Sequence, residues 1–258
     1  MKNNDLKKRM LQGETVYGIF INSGSTIAVE IAGLAGFDFV MIDSEHGPTL
    51  PLQNRDLICA AEYRDTVPFV RISNGDYDMV LRTLDVGAHG IMVPQVNTVE
   101  KAAAIASAAR YSPQGNRGVA TIRSSDYGFL QPVSEYFRLA NERNLVIVQC
   151  ENVAALPHLD GICAVPGVDV VFVGPYDLSS SMGQIGKVDY ASIRETVDLA
   201  LAATARHGKI AGIFTKDVKE AAMYAEMGFR FIIVGTDIGC LGGGMRSIAK
   251  ALFGKQNV

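Results

Sequence analysis

The 258-residue chain contains no tryptophan, only four cysteines and only four histidines. Cys59, Cys150, Cys163 and Cys240 stand far apart, with no pair at zinc-ligand or thioredoxin spacing. A structural zinc site and a dithiol redox centre are therefore not expected, and a reducing cytoplasmic setting is. Basic residues are not in excess: 24 Lys and Arg face 27 Asp and Glu, for a formal net charge of −3. That balance argues against a nucleic-acid partner. No apolar run approaches the ~20 residues that span a bilayer, so no membrane partner is expected. The opening segment MKNNDLKKRMLQGE is charged and amphipathic, unlike the apolar core of a signal peptide. Linkers, low-complexity tracts and internal repeats are also missing. The expectation is one soluble cytoplasmic domain over residues 1–258.

What the chain does have is alternation. Short β-branched runs occur at Val16–Ile21, Phe39–Asp43, Phe69–Ile72, Gly90–Pro94, Leu145–Gln149, Val170–Gly174, Ile210–Thr215 and Phe231–Gly235. Between them, apolar residues recur at threes and fours, as in Thr26–Leu34, Tyr77–Val86, Val99–Arg110, Tyr190–Arg206 and Val218–Met227. Thr98 and Asp217 stand where helix caps belong. Continuous apolar strands separated by helices indicate a parallel sheet covered on both faces. Eight such units in about 250 residues predict a (β/α)8 TIM barrel. The rival open sheet would carry a glycine-rich phosphate turn after its first strand. Here that strand runs into Asn22-Ser23-Gly24-Ser25, without that spacing. The Gly/Pro/Ser-rich connection from Tyr111 to Val133 is long enough to be expected as a lid over the site.

Barrels of this kind carry their reacting groups at the carboxyl ends of the strands. Those positions hold Asp43-Ser44-Glu45-His46, Arg71, Gln95, Gln149, Glu151, Asp177, Thr236 and Asp237. No serine or cysteine forms a nucleophile elbow and no lysine ends a strand, so covalent and Schiff-base routes lack their groups. Glu151 or Asp177 alone reads as an acid at a helix start. As a pair on neighbouring strands they repel unless a cation lies between them. Two carboxylates plus waters is how a hard divalent ion such as Mg²⁺ is held. A lone histidine is more often structural, but His46 follows Asp43 and Glu45, where a carboxylate could fix its tautomer for work as a base. His89, His158 and His207 read as turn, surface or helix-end residues. Arg71 reads either as a bidentate binder of an organic carboxylate or as the salt-bridge partner of Asp43 or Glu45.

The segments IDSEHGP, VRI, LDVGAHGIMVP, RYSPQGNRG, VQCEN and VFVGPYDLSSSMG resemble the HpcH/HpaI aldolase family in order and spacing, from about Phe20 to Thr236. The resemblance implies a metal-dependent class II aldolase on a phosphoenolpyruvate/pyruvate-type barrel. Such an enzyme cleaves a 4-hydroxy-2-oxo acid reversibly to pyruvate and an aldehyde, using Mg²⁺, Mn²⁺ or Co²⁺. It also implies a homo-oligomer, a hexamer built as a trimer of dimers that exchange their C-terminal helix. Carried over by position, Glu151 and Asp177 match the metal ligands, His46 the general base and Arg71 the group facing the developing enolate. Asp43 joins this catalytic group as the carboxylate beside His46 and Arg71. Gln149 and the turn Gly174-Pro175-Tyr176 match the substrate-binding part, with a backbone amide at Tyr176 meeting the pyruvate carboxylate. Asp85 matches an acid that reaches the histidine from a neighbouring subunit.

Thr121–Phe129 corresponds to a variable stretch contacting the aldehyde part. The glycine-rich Cys240–Met245 reads as a flexible connection to the last helix or as a small anion nest. Two further functions stay open. One is condensation of oxaloacetate with acetyl-CoA in the same site, for which Arg117, Arg123 and Lys187 are the basic candidates. The other is a non-catalytic barrel that binds oxo acids, against which the intact base and arginine argue.

Overall fold

The computed structural model describes residues 5–50 and 53–254; the first four residues of the opening segment and the last four of the chain lie outside them. Eight parallel strands close into a barrel in sequence order: β1 (Val16–Ile21), β2 (Phe39–Asp43), β3 (Val67–Arg71), β4 (Gly90–Val93), β5 (Leu145–Cys150), β6 (Val170–Val173), β7 (Ile210–Thr215) and β8 (Phe231–Thr236). The helices are α1 (Leu6–Leu11), α2 (Thr26–Leu34), α3 (Asn54–Tyr63), α4 (Tyr77–Asp85), α5 (Val99–Ala109), α6 (Val133–Arg143), α7 (Leu159–Ala164), α8 (Pro175–Ser181), α9 (Tyr190–Arg206), α10 (Val218–Met227) and α11 (Asp237–Phe253). The predicted strands hold to within two residues at each end, and Thr98 and Asp217 cap α5 and α10 through their side chains.

The period of two along each strand sorts the side chains into two cores. Outward positions such as Val40, Ile42, Val146, Val148, Val171 and Val173 pack under the helices. Inward positions such as Phe39, Met41, Phe69, Ile147, Phe172 and Phe231 fill the barrel. Phe39 stacks on Phe231 with ring centroids 4.2 Å apart. Leu6 and Met10 of α1 join the inner cluster and close the barrel at the end where the strands begin. Continuing the inward count toward the other end replaces apolar residues by Asn22, Asp43, Arg71, Gln149 and Glu151. The inner core therefore ends in a polar layer.

Two expectations are corrected. The Tyr111–Val133 connection is not a lid. It leaves α5, which has run back to the strand-start end, and leads into α6, which delivers the chain to β5 at that same end, so it stays away from the mouth of its own barrel. Its Arg123 donates to Val86 O at 2.8 Å and pairs with Glu62 at 2.5 Å, beneath β4. The second correction concerns Gly242-Gly243-Gly244, which form neither a flexible link nor a nest. They lie inside α11, a seventeen-residue helix with no buried side chain.

Candidate active site

The polar layer opens into a cavity of about 320 Å³ lined by Phe20, Asn22, His46, Arg71, Gln149, Glu151, Phe172, Gly174, Pro175, Tyr176, Asp177, Phe214 and Thr236. Parallel register sets Asp43 opposite Arg71 on β2 and β3. Arg71 Nε donates to Asp43 Oδ1 at 3.0 Å and Nη2 to Oδ2 at 2.7 Å. Its third nitrogen reaches Glu45 Oε2 at 3.2 Å, and its guanidinium lies 4.5 Å from the centre of the Phe20 ring. Both salt bridges weighed as alternatives are thus formed, while Arg71 still lines the cavity. Asp43, 1% exposed, also accepts the amides of Glu45 and His46 at 3.1 and 3.2 Å and the side-chain amide of Asn22. Burial pushes its carboxyl up, but Arg71 and these amides outweigh burial and hold it below the usual range.

Glu151 is buried and does not cap a helix; Asn152 does that instead, accepting from Ala154 N. Glu151 turns into the barrel, where Oε1 accepts from the Gln95 amide at 2.8 Å and Oε2 from Gln149 Nε2 at 2.6 Å. Gly174 makes this possible, since a Cβ there would sit 2.7 Å from Glu151 Oε2. Burial pushes Glu151 up to about 7, with Asp177 and Glu45 adding to the rise and the Gln95 amide opposing it. Glu45 is also raised, first by burial, with Asp43 and Asp177 contributing. Asp177 sits in the first turn of α8 without a side-chain capping bond. The site thus gathers four carboxylates around one guanidinium.

This arrangement fits a divalent cation held by Glu151 and Asp177. Among the described residues no three His, Cys, Asp or Glu side chains stand at ligating distance. Two carboxylates completed by water or substrate oxygens is the donor set of Mg²⁺ or Mn²⁺ rather than of zinc. Gln149, which lines the same cavity, adds in its Oε1 a buried acceptor without a partner.

His46 projects into the mouth with its side chain 63% exposed, and its Nε2 lies 3.9 Å from Glu45 Oε2, beyond a hydrogen bond. Tyr176 and Phe214 form an edge-to-face pair at 6.0 Å, and Phe214 meets Phe20 at the same spacing. These rings supply the same cavity with apolar lining. Phe20, Asn22 and Phe214 were missed in the sequence, although counting two residues at a time along β1 and β7 reaches them. Glu45 was seen at its strand end but not as an acid of the site.

Asp85 lies elsewhere. It ends α4 at the strand-start end of the barrel, paired with buried Arg117 at 2.9 Å, so one chain does not bring it to its own His46. Thr236 lines the cavity while capping α11, and Asp237 accepts the amide of Asn22 at 2.8 Å, fixing the turn after β1. His89 is buried against Glu62 and His207 pairs with Asp160 at the surface.

A family model described as HpcH/HpaI aldolase/citrate lyase matches residues 16–242. The chain belongs to the HpcH/HpaI aldolase/citrate lyase family. It is 37% identical over 246 residues to the hydroxypyruvate/pyruvate aldolase of Roseobacter denitrificans, covering 95% of this chain and 96% of that one. An HpcH/HpaI family protein from Burkholderia cenocepacia superposes with a TM-score of 0.90 at 33% identity, over 97% and 99% of the two chains. The citrate synthase SbnG superposes at 0.85 with 30% identity, over 95% and 96%. This HpcH/HpaI member is an aldolase-type lyase. No helix among its described residues is long and apolar enough to cross a membrane.

Proposed function

We propose that this cytoplasmic, single-domain HpcH/HpaI enzyme is a metal-dependent class II aldolase that cleaves a 4-hydroxy-2-oxo acid to pyruvate and an aldehyde. What carries the reading is one cavity in which Glu151 and Asp177 face Arg71 and His46. Glu151 and Asp177 would hold a divalent cation, which would supply Lewis acidity to the bound oxo acid. Arg71, fixed by Asp43 and Glu45, sets a permanent positive charge where the enolate oxygen develops, with no reorganisation required during reaction. Exposed His46 accepts the proton of the 4-hydroxyl as the C3–C4 bond breaks, leaving an aldehyde and the pyruvate enolate. A proton delivered to C3 then completes pyruvate. Gln149 and the amides of the Gly174-Pro175-Tyr176 turn orient the oxo acid, and Phe20, Phe214 and Tyr176 border the space for the aldehyde.

The likeness to a citrate synthase favours a second reading, condensation of oxaloacetate with acetyl-CoA. Two of its three basic candidates do not support it, because Arg117 and Arg123 are committed to Asp85 and Glu62 at the far end of the barrel. We also infer a homo-oligomer, a hexamer built as a trimer of dimers. Supporting this, α11 exposes Ile238, Leu241, Met245, Ile248 and Leu252 on one stripe, and α2 exposes Ile27, Ile31 and Leu34. The deciding assay is pyruvate release from a panel of 4-hydroxy-2-oxo acids, with citrate formation from oxaloacetate and acetyl-CoA run in parallel. Release that a chelator abolishes and Mg²⁺, Mn²⁺ or Co²⁺ restores is expected. Full activity in excess chelator would overturn the metal assignment.

A further inference from the structure

The loop between β4 and α5 holds a residue in an unfavourable backbone conformation. Gln95 has φ +52°, in the left-handed region that residues other than glycine enter only when their surroundings impose it. In that conformation its N–H points at Glu151 Oε1, 2.8 Å away. On the other side of the residue, Lys101 Nζ donates to Gln95 O at 2.9 Å and reaches Pro94 O at 3.5 Å. Lys101 is itself anchored, since its amide donates to the capping Thr98 Oγ1 at 3.2 Å. Asn152 Nδ2 approaches Gln95 Oε1 at 3.4 Å, joining the loop to the residue after Glu151. With Gln149 on Oε2, the Glu151 carboxylate is gripped from both sides.

We propose that Lys101 is a positioning residue for Glu151: by tying down the Gln95 carbonyl it maintains the left-handed turn whose amide aims the carboxylate toward Asp177. The proposal rests on the reading of Glu151 and Asp177 as holders of a divalent cation. Charge and geometry predict opposite signs for its removal. Lys101 is a cation, so through Coulomb repulsion alone its loss would tighten the binding of a second cation. Through geometry its loss weakens binding, and outer partners of metal ligands typically contribute about 10–100-fold in affinity.

The test is Mn²⁺ binding to the full-length protein without substrate, followed by the electron paramagnetic resonance of free Mn²⁺. Wild type, Lys101→Met, Lys101→Gln, Lys101→Arg and Glu151→Gln are compared, with a thermal melt for each. Methionine and glutamine are good helix formers, and Lys101 is only half-buried on α5, so both variants should fold. Both are expected to bind Mn²⁺ about tenfold or more weakly, with arginine, which can reach the same carbonyls, restoring most of the affinity. Wild-type or tighter binding by either neutral variant overturns the role of Lys101 while leaving the metal reading standing. Absence of Mn²⁺ binding by wild type, or undiminished binding by Glu151→Gln, sinks the metal reading and this proposal with it.

Discussion

Replacing Arg71 by methionine keeps an unbranched apolar stem and deletes the guanidinium. Asp43, 1% exposed, would then be a buried carboxylate without its counter-ion. Breaking a buried pair this way costs about 3–5 kcal/mol. Asp43 would keep the amides of Glu45 and His46 and the side chain of Asn22, which places the loss at the lower end, about 3 kcal/mol. Asp43→Asn in the same chain removes the stranded charge. Asn22 Oδ1, buried and unpartnered, can turn to accept from the new amide. The double variant should therefore be more stable than Arg71→Met alone by about 1–2 kcal/mol. Catalysis should not follow stability. Enolisation of pyruvate, read as exchange of its methyl protons in D₂O by NMR, should stay down by about a hundredfold to a thousandfold in both variants.

The sign of the pH effect is also fixed. A carboxyl held below its ordinary value of about 3.9 stabilises the fold above that value and loses the contribution as pH falls through its folded pKa. On acidification below about pH 4, wild type should thus lose stability more steeply than the double variant. Urea unfolding at fixed protein concentration measures both quantities. An Arg71→Met protein within 1 kcal/mol of wild type would refute the buried-pair argument. Recovery of proton exchange together with stability would show that Arg71 acts only on the fold.

His46→Ala should slow cleavage of a hydroxy-oxo acid by about 10²–10⁴ yet spare pyruvate proton exchange, because Arg71 remains; equal loss of both would contradict the assignment of the hydroxyl proton to His46. Ile248→Asp and Leu252→Asp in α11 should dissociate the oligomer without unfolding the barrel, as read by sedimentation and circular dichroism, and an active wild-type monomer would refute the oligomer.

The barrel was legible because the strands are largely buried on both faces and the helices keep their own period, so local patterns agree with the global fold. The acids of the site were legible as polar residues ending apolar runs. Other features needed coordinates. The Tyr111–Val133 segment looked like a lid because length and composition do not say at which end of the barrel a connection lies; that depends on whether it follows a strand or a helix. Three glycines in a row suggested a break, but each lowers helix propensity by only about 1 kcal/mol, which weakens a helix without forbidding it. The left-handed Gln95 left no trace, since glutamine is not a residue that announces φ above zero. Asp85 and His46 stand at opposite ends of one barrel, so no spacing within the chain could join them.

Those three glycines also bear on how the molecule comes together. Each weakens a helix interior by about 0.5–1 kcal/mol relative to alanine, and α11 buries no side chain of its own to offset them. In the proposed oligomer its order would be governed by mass action, rising with the concentration of the subunit that covers its apolar stripe. Dilution would fray α11 while the barrel stays closed, so its amides would exchange with solvent at a rate that depends on protein concentration. Those of β2 and β5, buried along their whole length, would not share that dependence. In that assembly one chain would contain a part whose stability is its own and a part whose stability is borrowed.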